Sequence, residues 1–343
     1  MRILKFIGCI IIAMLLTCCD GEPEPEMRID APVNFPSITY NTQKNPVTTK
    51  GFELGRSLFY DGILSRDGTI SCGSCHQQGA AFSHRGHIVS HGIDDKLGTR
   101  NAPPIMNLAW QKYFLWDGGV HDLDLQPVAP IQNPVEMDEK LERVLDKLRN
   151  HESYPDKFDQ AFGSNEINTE RLLKALSQFM VTLVSGNSRY DKYKRGEGEV
   201  LTSDEIEGLN LVQQKCASCH STDLFTDLSF RDNGLDETTK TDYGRYAITL
   251  KETDRFKFKV PSLRNVEVTA PYMHDGRFRN LDMVLDHYAE GVHNNANLDP
   301  LLKQGDVLGI SLTKDDKARI IAFIKTLTDR QFLRDTRFSE ASK

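Results

Sequence analysis

The pentapeptides Cys72-Gly73-Ser74-Cys75-His76 and Cys216-Ala217-Ser218-Cys219-His220 are the residues most able to do chemistry. Two cysteines three apart, followed at once by histidine, have the spacing of c-type haem attachment. Each cysteine can form a thioether to a haem vinyl group, and the histidine then lies under the iron as proximal ligand. A lone C-x-x-C also suits a zinc knuckle or a redox dithiol, and four cysteines could share one zinc ion. The terminal histidine, present in both copies, favours two covalently bound haem c groups with His76 and His220 as proximal ligands. The opposite face of each iron then decides the chemistry. Two permanently six-coordinate haems would only pass electrons, whereas an open or openable iron would react with peroxide or oxygen.

The rest of the composition agrees with an exported haem protein. The chain has 343 residues and seven cysteines, of which Cys9, Cys18 and Cys19 lie at the N-terminus. Arg2 and Lys5 precede an apolar run from Phe6 to Leu16 that is short for a membrane span. Leu15-Leu16-Thr17-Cys18-Cys19-Asp20 resembles a bacterial lipoprotein signal over residues 1–19, with Cys18 or Cys19 as the lipid acceptor. Residues 20–44, opening on the acidic, proline-bearing stretch Asp20 to Glu26, read as a solvated tether. This places the protein facing the periplasm on a lipid anchor; the alternative is a plain secretory signal and a soluble periplasmic protein. The four remaining cysteines are taken by haem, so none is left for a disulfide. A net charge of −7 speaks against a nucleic-acid partner.

The elements that must position these motifs are helical. Leu172, Leu173, Leu176, Phe179, Met180 and Leu183 recur at helical spacing, as do Leu141, Val144, Leu145 and Leu148. Thr202-Ser-Asp-Glu205 has the form of a capping box and opens a helix that delivers Cys216. Thr313-x-x-Asp316 starts another, with Ile320, Ile321, Ile324 and Leu327 on one face. Strand signals are few. The polar, glycine-rich stretch Ser185 to Glu199 marks a division. The expectation is a mainly α protein of two cytochrome c-like domains, residues 45–190 and 195–335, each with one covalently bound haem and long loops ordered around it.

Beyond the haem motifs, several segments resemble the bacterial di-haem cytochrome c peroxidase family, which includes the MauG-type enzymes. They are Gly98-Thr-Arg-Asn-Ala-Pro103, Trp116-Asp-Gly118, Gln126, Pro134-Val-Glu-Met137, and Lys259 through Gly276, which reads Lys-Val-Pro-Ser-Leu-Arg-Asn-Val-Glu-Val-Thr-Ala-Pro-Tyr-Met-His-Asp-Gly. The resemblance spans roughly residues 45–330. It implies that peroxide reacts at the N-terminal haem, with Gln126 and Glu136 on its distal side. A positioned carboxylate can move a proton from one peroxide oxygen to the other, acting as general base and then as general acid. The competing reading of Glu136 is a helix-start carboxylate, since Met137-Asp-Glu-Lys opens a helical pattern.

The same resemblance places Trp116 between the haems as an electron relay; a plain core tryptophan is the alternative. It puts a displaceable histidine ligand of the first haem near His91, with His84 and His87 as neighbours. On the second haem, peroxidases carry a methionine where this chain has Tyr288, as MauG-type proteins do. Phenolate stabilises ferric iron and would lower the potential of that haem. Met273 and Met283 are the other candidate ligands, although Met283 lies more than a helical turn before Tyr288 and should point elsewhere, and a packed helix tyrosine is the other reading of Tyr288. A calcium site between the domains would use Asn101, Thr269 and Pro271.

These features imply a peroxidase reducing hydrogen peroxide to water, with electrons from a small c-type cytochrome or cupredoxin entering at the His220 haem. The alternatives are a MauG-like oxidase that stores two oxidising equivalents across both haems and modifies a protein or small molecule, and a pure electron-transfer cytochrome. The family resemblance also admits a homodimer.

Overall fold

The computed structural model describes residues 26–235 and 242–340. The expected signal, the expected lipid-acceptor cysteine and the first part of the expected tether therefore lie outside the described residues. Eleven α-helices are described: α1 Thr49–Tyr60, α2 Cys72–Cys75, α3 Val128–Gln132, α4 Leu141–Arg149, α5 Tyr154–Phe162, α6 Thr169–Val181, α7 Arg189–Arg195, α8 Ser203–Lys215, α9 Tyr246–Thr249, α10 Leu281–Glu290 and α11 Lys314–Lys325. Two short antiparallel pairs accompany them: β1 Phe230–Arg231 with β2 Phe258–Lys259, and β3 Lys303–Gln304 with β4 Val307–Leu308.

The two halves of the chain use one packing device twice. In the first, α1 crosses α6, and a Cβ at Gly55 would collide with the carbonyl oxygen of Ala175. In the second, α8 crosses α11, and a Cβ at Gly208 would collide with the carbonyl oxygen of Arg319. A missing side chain at each crossing lets the backbones approach closely. Around the first crossing sit Phe52, Phe59, Phe82 and Phe179, with Phe59 and Phe179 ring centroids 5.0 Å apart. Around the second sit Tyr190, Val212, Phe225, Ile320, Phe323 and Leu327. Each half thus runs helix, haem motif, loops, closing helix.

Both expected capping boxes are present. Glu205 N–H donates to Thr202 Oγ1 at 3.3 Å, and Thr202 N–H donates to Glu205 Oε2 at 2.8 Å. Thr313 and Asp316 repeat the exchange at 3.1 and 2.9 Å. Satisfying these first-turn amides fixes where α8 and α11 begin, and α8 then runs straight into Cys216, its C-cap.

Two segments differ from their sequence reading. Part of the stretch assigned to a solvated tether, residues 32–44, is packed. Phe35 is buried against Trp110 with ring centroids 5.2 Å apart, Trp110 Nε1–H donates to Pro36 O at 2.7 Å, and the Tyr40 hydroxyl donates to Asp124 Oδ1 at 2.7 Å. An aromatic residue at 35 and another at 40 give this strap enough apolar surface to bind the body. The dividing stretch is also packed, since α7 forms inside it and buries Tyr190 and Asp191. Arg264 meets Asp191 there in a two-pronged ion pair, Nη1–Oδ2 2.8 Å and Nη2–Oδ1 2.7 Å, with both side chains 0% exposed. The C-terminal tail returns to the first core: Phe332 packs at 5.7 Å from Phe82, and the Tyr60 hydroxyl donates to Phe338 O at 2.7 Å.

Candidate functional site

The first attachment motif occupies α2, one helical turn that sets Cys72 and Cys75 on the same side and leaves His76 as its C-cap. The His76 Nδ1–H donates to the carbonyl oxygen of Phe82 at 2.7 Å. A carbonyl only accepts, so this bond fixes the proton on Nδ1 and leaves the Nε2 lone pair for a metal. His220 repeats the arrangement, Nδ1–H to Phe225 O at 3.1 Å. Burial pushes both imidazoles below their usual range, which keeps them neutral as ligation requires. Burial also pushes the Cys72 thiol up to about 12 and Cys216 up to about 11. The two motifs lie in separate cores, and among the described residues no group of three or more His, Cys, Asp or Glu is placed to hold a metal ion.

The second motif opens on a cavity of about 650 Å³. Cys216, Cys219 and His220 line one side, Tyr288 from α10 and Met273 line another, and Trp116 and Asn101 reach in from the first half of the chain. The volume and the mix of apolar walls with a few polar groups fit a buried cofactor. Three of these residues are the sequence candidates for the second haem's surroundings. Burial pushes the Tyr288 phenol up to about 12, against a lowering hydrogen bond from Asn233. Met283, on the same helix but more than a turn before Tyr288, is 39% exposed and does not line the cavity, as its spacing predicts. The candidates inside the cavity are Tyr288 and Met273.

Replacing Tyr288 by Phe keeps the ring and removes the phenol oxygen. The expected result is a changed visible and EPR spectrum of the second haem with the first unaltered; an unchanged second-haem spectrum would exclude Tyr288 as its ligand.

Near the first motif, Glu136 lies in the turn before α4, not at the helix start, and its backbone N–H donates to Asn133 O at 3.0 Å. The helix-start reading therefore fails, since α4 begins only at Leu141. The carboxyl is close enough to raise the thiols of both Cys72 and Cys75 by its charge. Burial pushes Glu136 above its usual range, opposed by hydrogen bonds from Ser90 and Asn133, with Ser90 Oγ donating to Oε1 at 3.4 Å. Gln126 follows the short turn Leu123–Leu125 and is half-buried.

His91 lies on the loop that covers Glu136. Its carbonyl accepts from Cys75 Sγ at 3.5 Å, the next residue, Gly92, packs on the Glu136 backbone, and Ile93 N–H donates to Glu136 O at 2.8 Å. His84 is buried and stacks on His87 with ring centroids 3.9 Å apart, and His87 lies 5.4 Å from His91. Burial, and then the neighbouring imidazoles, push His84 down to about 4.

Trp116 sits at the junction. Its Nε1–H donates to Asn101 O at 2.8 Å, and its own carbonyl accepts Lys259 N–H at 2.8 Å. Asn101 also donates its side-chain amide to His87 O and Ile88 O at 3.0 and 3.1 Å, bonds that use Nδ2 and not Oδ1. Thr269 and Pro271 line the same cavity as Asn101. Sequence reasoning missed Arg100, Asp242 and Ser90. Arg100 stood inside a quoted motif, but Asp242 and Ser90 carry no local signal, because their partners are distant in sequence.

Two c-type haem attachment motifs on one mainly α chain, with Trp116 from the first half lining the cavity of the second, define a di-haem c-type oxidoreductase. The family model for di-haem cytochrome c peroxidase matches residues 49–199. The methylamine utilization protein MauG of Methylorubrum extorquens is 35% identical over 311 residues, 90% of this chain and 86% of that protein. Cytochrome c551 peroxidase of Nitrosomonas europaea is 35% identical over 283 residues, 81% of this chain and 80% of that protein. Among solved structures, a MauG-like protein associated with microbial copper homeostasis superposes with a TM-score of 0.82 at 34% identity, covering 92% of this chain and 99% of that one. The chain belongs to the di-haem cytochrome c peroxidase and MauG family, has its two cytochrome c-like domains, and carries two haem c groups. Among the described residues no helix is long and apolar enough to cross a membrane.

Proposed function

We propose that this protein reduces hydrogen peroxide to water with two electrons and two protons, the electrons coming from a small redox protein at the His220 side. The observation that carries this reading is Glu136, a half-buried carboxyl with a raised proton affinity beside the first attachment motif. Haem, when bound, supplies the iron that activates peroxide and the reservoir of electrons. His76 and His220 would hold the two groups through Nε2, the nitrogen their Nδ1 bonds leave available. Glu136 takes a proton from the peroxide oxygen that stays and returns it to the oxygen that leaves as water, and Gln126 orients the peroxide. The loop carrying Ser90 and His91 covers Glu136 and limits water. Trp116 passes electrons between the domains. Asn101 Oδ1 with the Thr269 and Pro271 carbonyls forms the proposed calcium site, whose ligand type suits a hard cation.

A second reading is favoured by Tyr288, which faces the second cavity where peroxidases of this family use methionine. In that reading the chain is a MauG-like oxidase acting on a protein or a small molecule. Peroxide added to resting and to half-reduced holoprotein, with reduced cytochrome c as donor, separates the two. Turnover only after half-reduction supports the peroxidase with His91 as the displaced ligand. Reaction of the resting diferric protein supports the oxidase. No reaction in either state sinks both. Calcium chelation should slow whichever reaction is seen, and calcium should restore it; no effect removes the calcium site from the proposal.

A further inference from the structure

Arg100 occupies the centre of the junction and takes part in none of the steps above. Its guanidinium donates from Nη1 to Asp117 Oδ2 at 2.5 Å and, as a fork, from Nε and Nη2 to Asp242 Oδ2 and Oδ1 at 2.6 and 2.8 Å. Asp117 is the residue after Trp116 and belongs to the first half of the chain; Asp242 belongs to the second. The three side chains are 23%, 11% and 18% exposed, so the pairs are largely shielded from water. A planar fork gripping a carboxylate in two places fixes orientation as well as distance. Asp242 is itself held, since its Oδ1 accepts Gly244 N–H at 2.9 Å, and the next residue, Arg245, donates to Asp117 O at 3.1 Å.

The same two residues, Arg100 and Asn101, hold the tryptophan from both ends. Arg100 fixes its backbone through Asp117, and the Asn101 carbonyl fixes its ring through Nε1–H at 2.8 Å. Asn101 N–H also donates to His274 O at 2.7 Å. The Arg100 guanidinium lies 5.6 Å from the Phe258 ring centre, and Phe258 stacks on His274 at 3.6 Å. Phe258 and His274 both line the second cavity. The indole is therefore referenced to the second pocket through Arg100 and Asn101, and the bond that crosses from one half of the chain to the other at Arg100 is the one to Asp242.

We propose that Arg100 and Asp242 form a latch across the domain junction that positions the Trp116 indole for electron transfer between the two haems. The proposal rests on the reading of Trp116 as the relay. Arg100 and Asp242 are positioning residues, since they touch neither peroxide nor haem but hold the group that electrons cross. Asp242→Asn is a mild probe: it removes one charge and half of the fork, while Asp117 still neutralises Arg100, so no buried cation is left alone.

The test uses the holoprotein with both haems attached and one electron added rapidly, and follows redistribution of that electron between the haems by their separate optical bands. Asp242→Asn should slow redistribution severalfold, and by no more than Trp116→Phe does, because the indole is then no longer held in place between the two halves. Both haem spectra and both midpoint potentials should stay as in the parent. Trp116→Phe should also slow it, and the double variant should be no slower than Trp116→Phe alone. If Trp116→Phe leaves the rate unchanged, the relay reading fails and the latch with it. If Trp116→Phe is slow but Asp242→Asn matches the parent, the latch alone fails. Multiplying rate losses in the double variant, or shifted spectra or potentials in Asp242→Asn, overturn the proposal by placing the effect somewhere other than Trp116.

Discussion

Glu136→Gln is expected to lower the rate of reaction with peroxide by about 10²–10⁴-fold, the usual contribution of a positioned general acid–base. Glutamine keeps the shape and the capacity to accept from Ser90, so the loop over the site should not move. Both haem spectra should be unaltered, and only the proton shuttle should be lost. The pH dependence has a definite sign. Glu136 must begin deprotonated, and burial has raised its proton affinity above that of an ordinary carboxyl. The rate in the parent protein should therefore fall with acidity at a pH above the normal carboxylate range, and this limb should be missing from Glu136→Gln. Stopped-flow mixing with peroxide across pH measures both. A variant that reacts as fast as the parent would remove Glu136 from the chemistry.

Arg264→Met should cost about 3–5 kcal/mol of stability, the range found when one partner of a buried ion pair is removed. Arg264 and Asp191 are both fully buried, and the Arg264 Nε–H donates in addition to Asp223 O at 2.6 Å. Burial works against the Asp191 carboxylate, but the Arg264 bonds and the Ser188 hydroxyl outweigh it and hold the group below its usual range. Methionine fills much of the space and leaves that charge without its counter-ion. Denaturant unfolding of the holoprotein reads the loss. Adding Asp191→Asn to Arg264→Met should recover part of it, since the stranded charge is then gone; equal stability of the single variant and the parent would show that the pair is neutral overall. The ion pair matters to function because Arg264 lies in the segment that runs from β2 to Pro271 along the second cavity, and Asp191 lies in α7 between the two cores.

The parts of the protein legible in sequence are those set by neighbours along the chain. C-x-x-C-H needs only one helical turn to bring its three groups together, so the motif already states its geometry. Thr202 with Glu205 and Thr313 with Asp316 cap helices across a single turn, and the starts of α8 and α11 were readable to the residue. The strap at residues 32–44 was misread because its acidic and proline-bearing beginning suggested solvent, while the decisive contacts, Phe35 on Trp110 and Tyr40 on Asp124, join residues far apart. The packing of the dividing stretch is hidden in the same way: its Asp191 gains a buried partner only from Arg264, distant in sequence.

The sequence by itself determined two haem attachments, their proximal histidines, a mainly α chain and a family. These follow from covalent spacing and from hydrogen bonds within a turn, which no tertiary arrangement can undo. Only the tertiary structure decided that Glu136 is a half-buried carboxyl in a turn and not a helix cap, that Tyr288 and Met273 share the second cavity, and that Arg100 ties Asp117 and Trp116 to Asp242. Burial and long-range pairing set these outcomes, because proton affinity, metal access and electron path depend on which distant residues share a dry space, and sequence spacing carries no record of that.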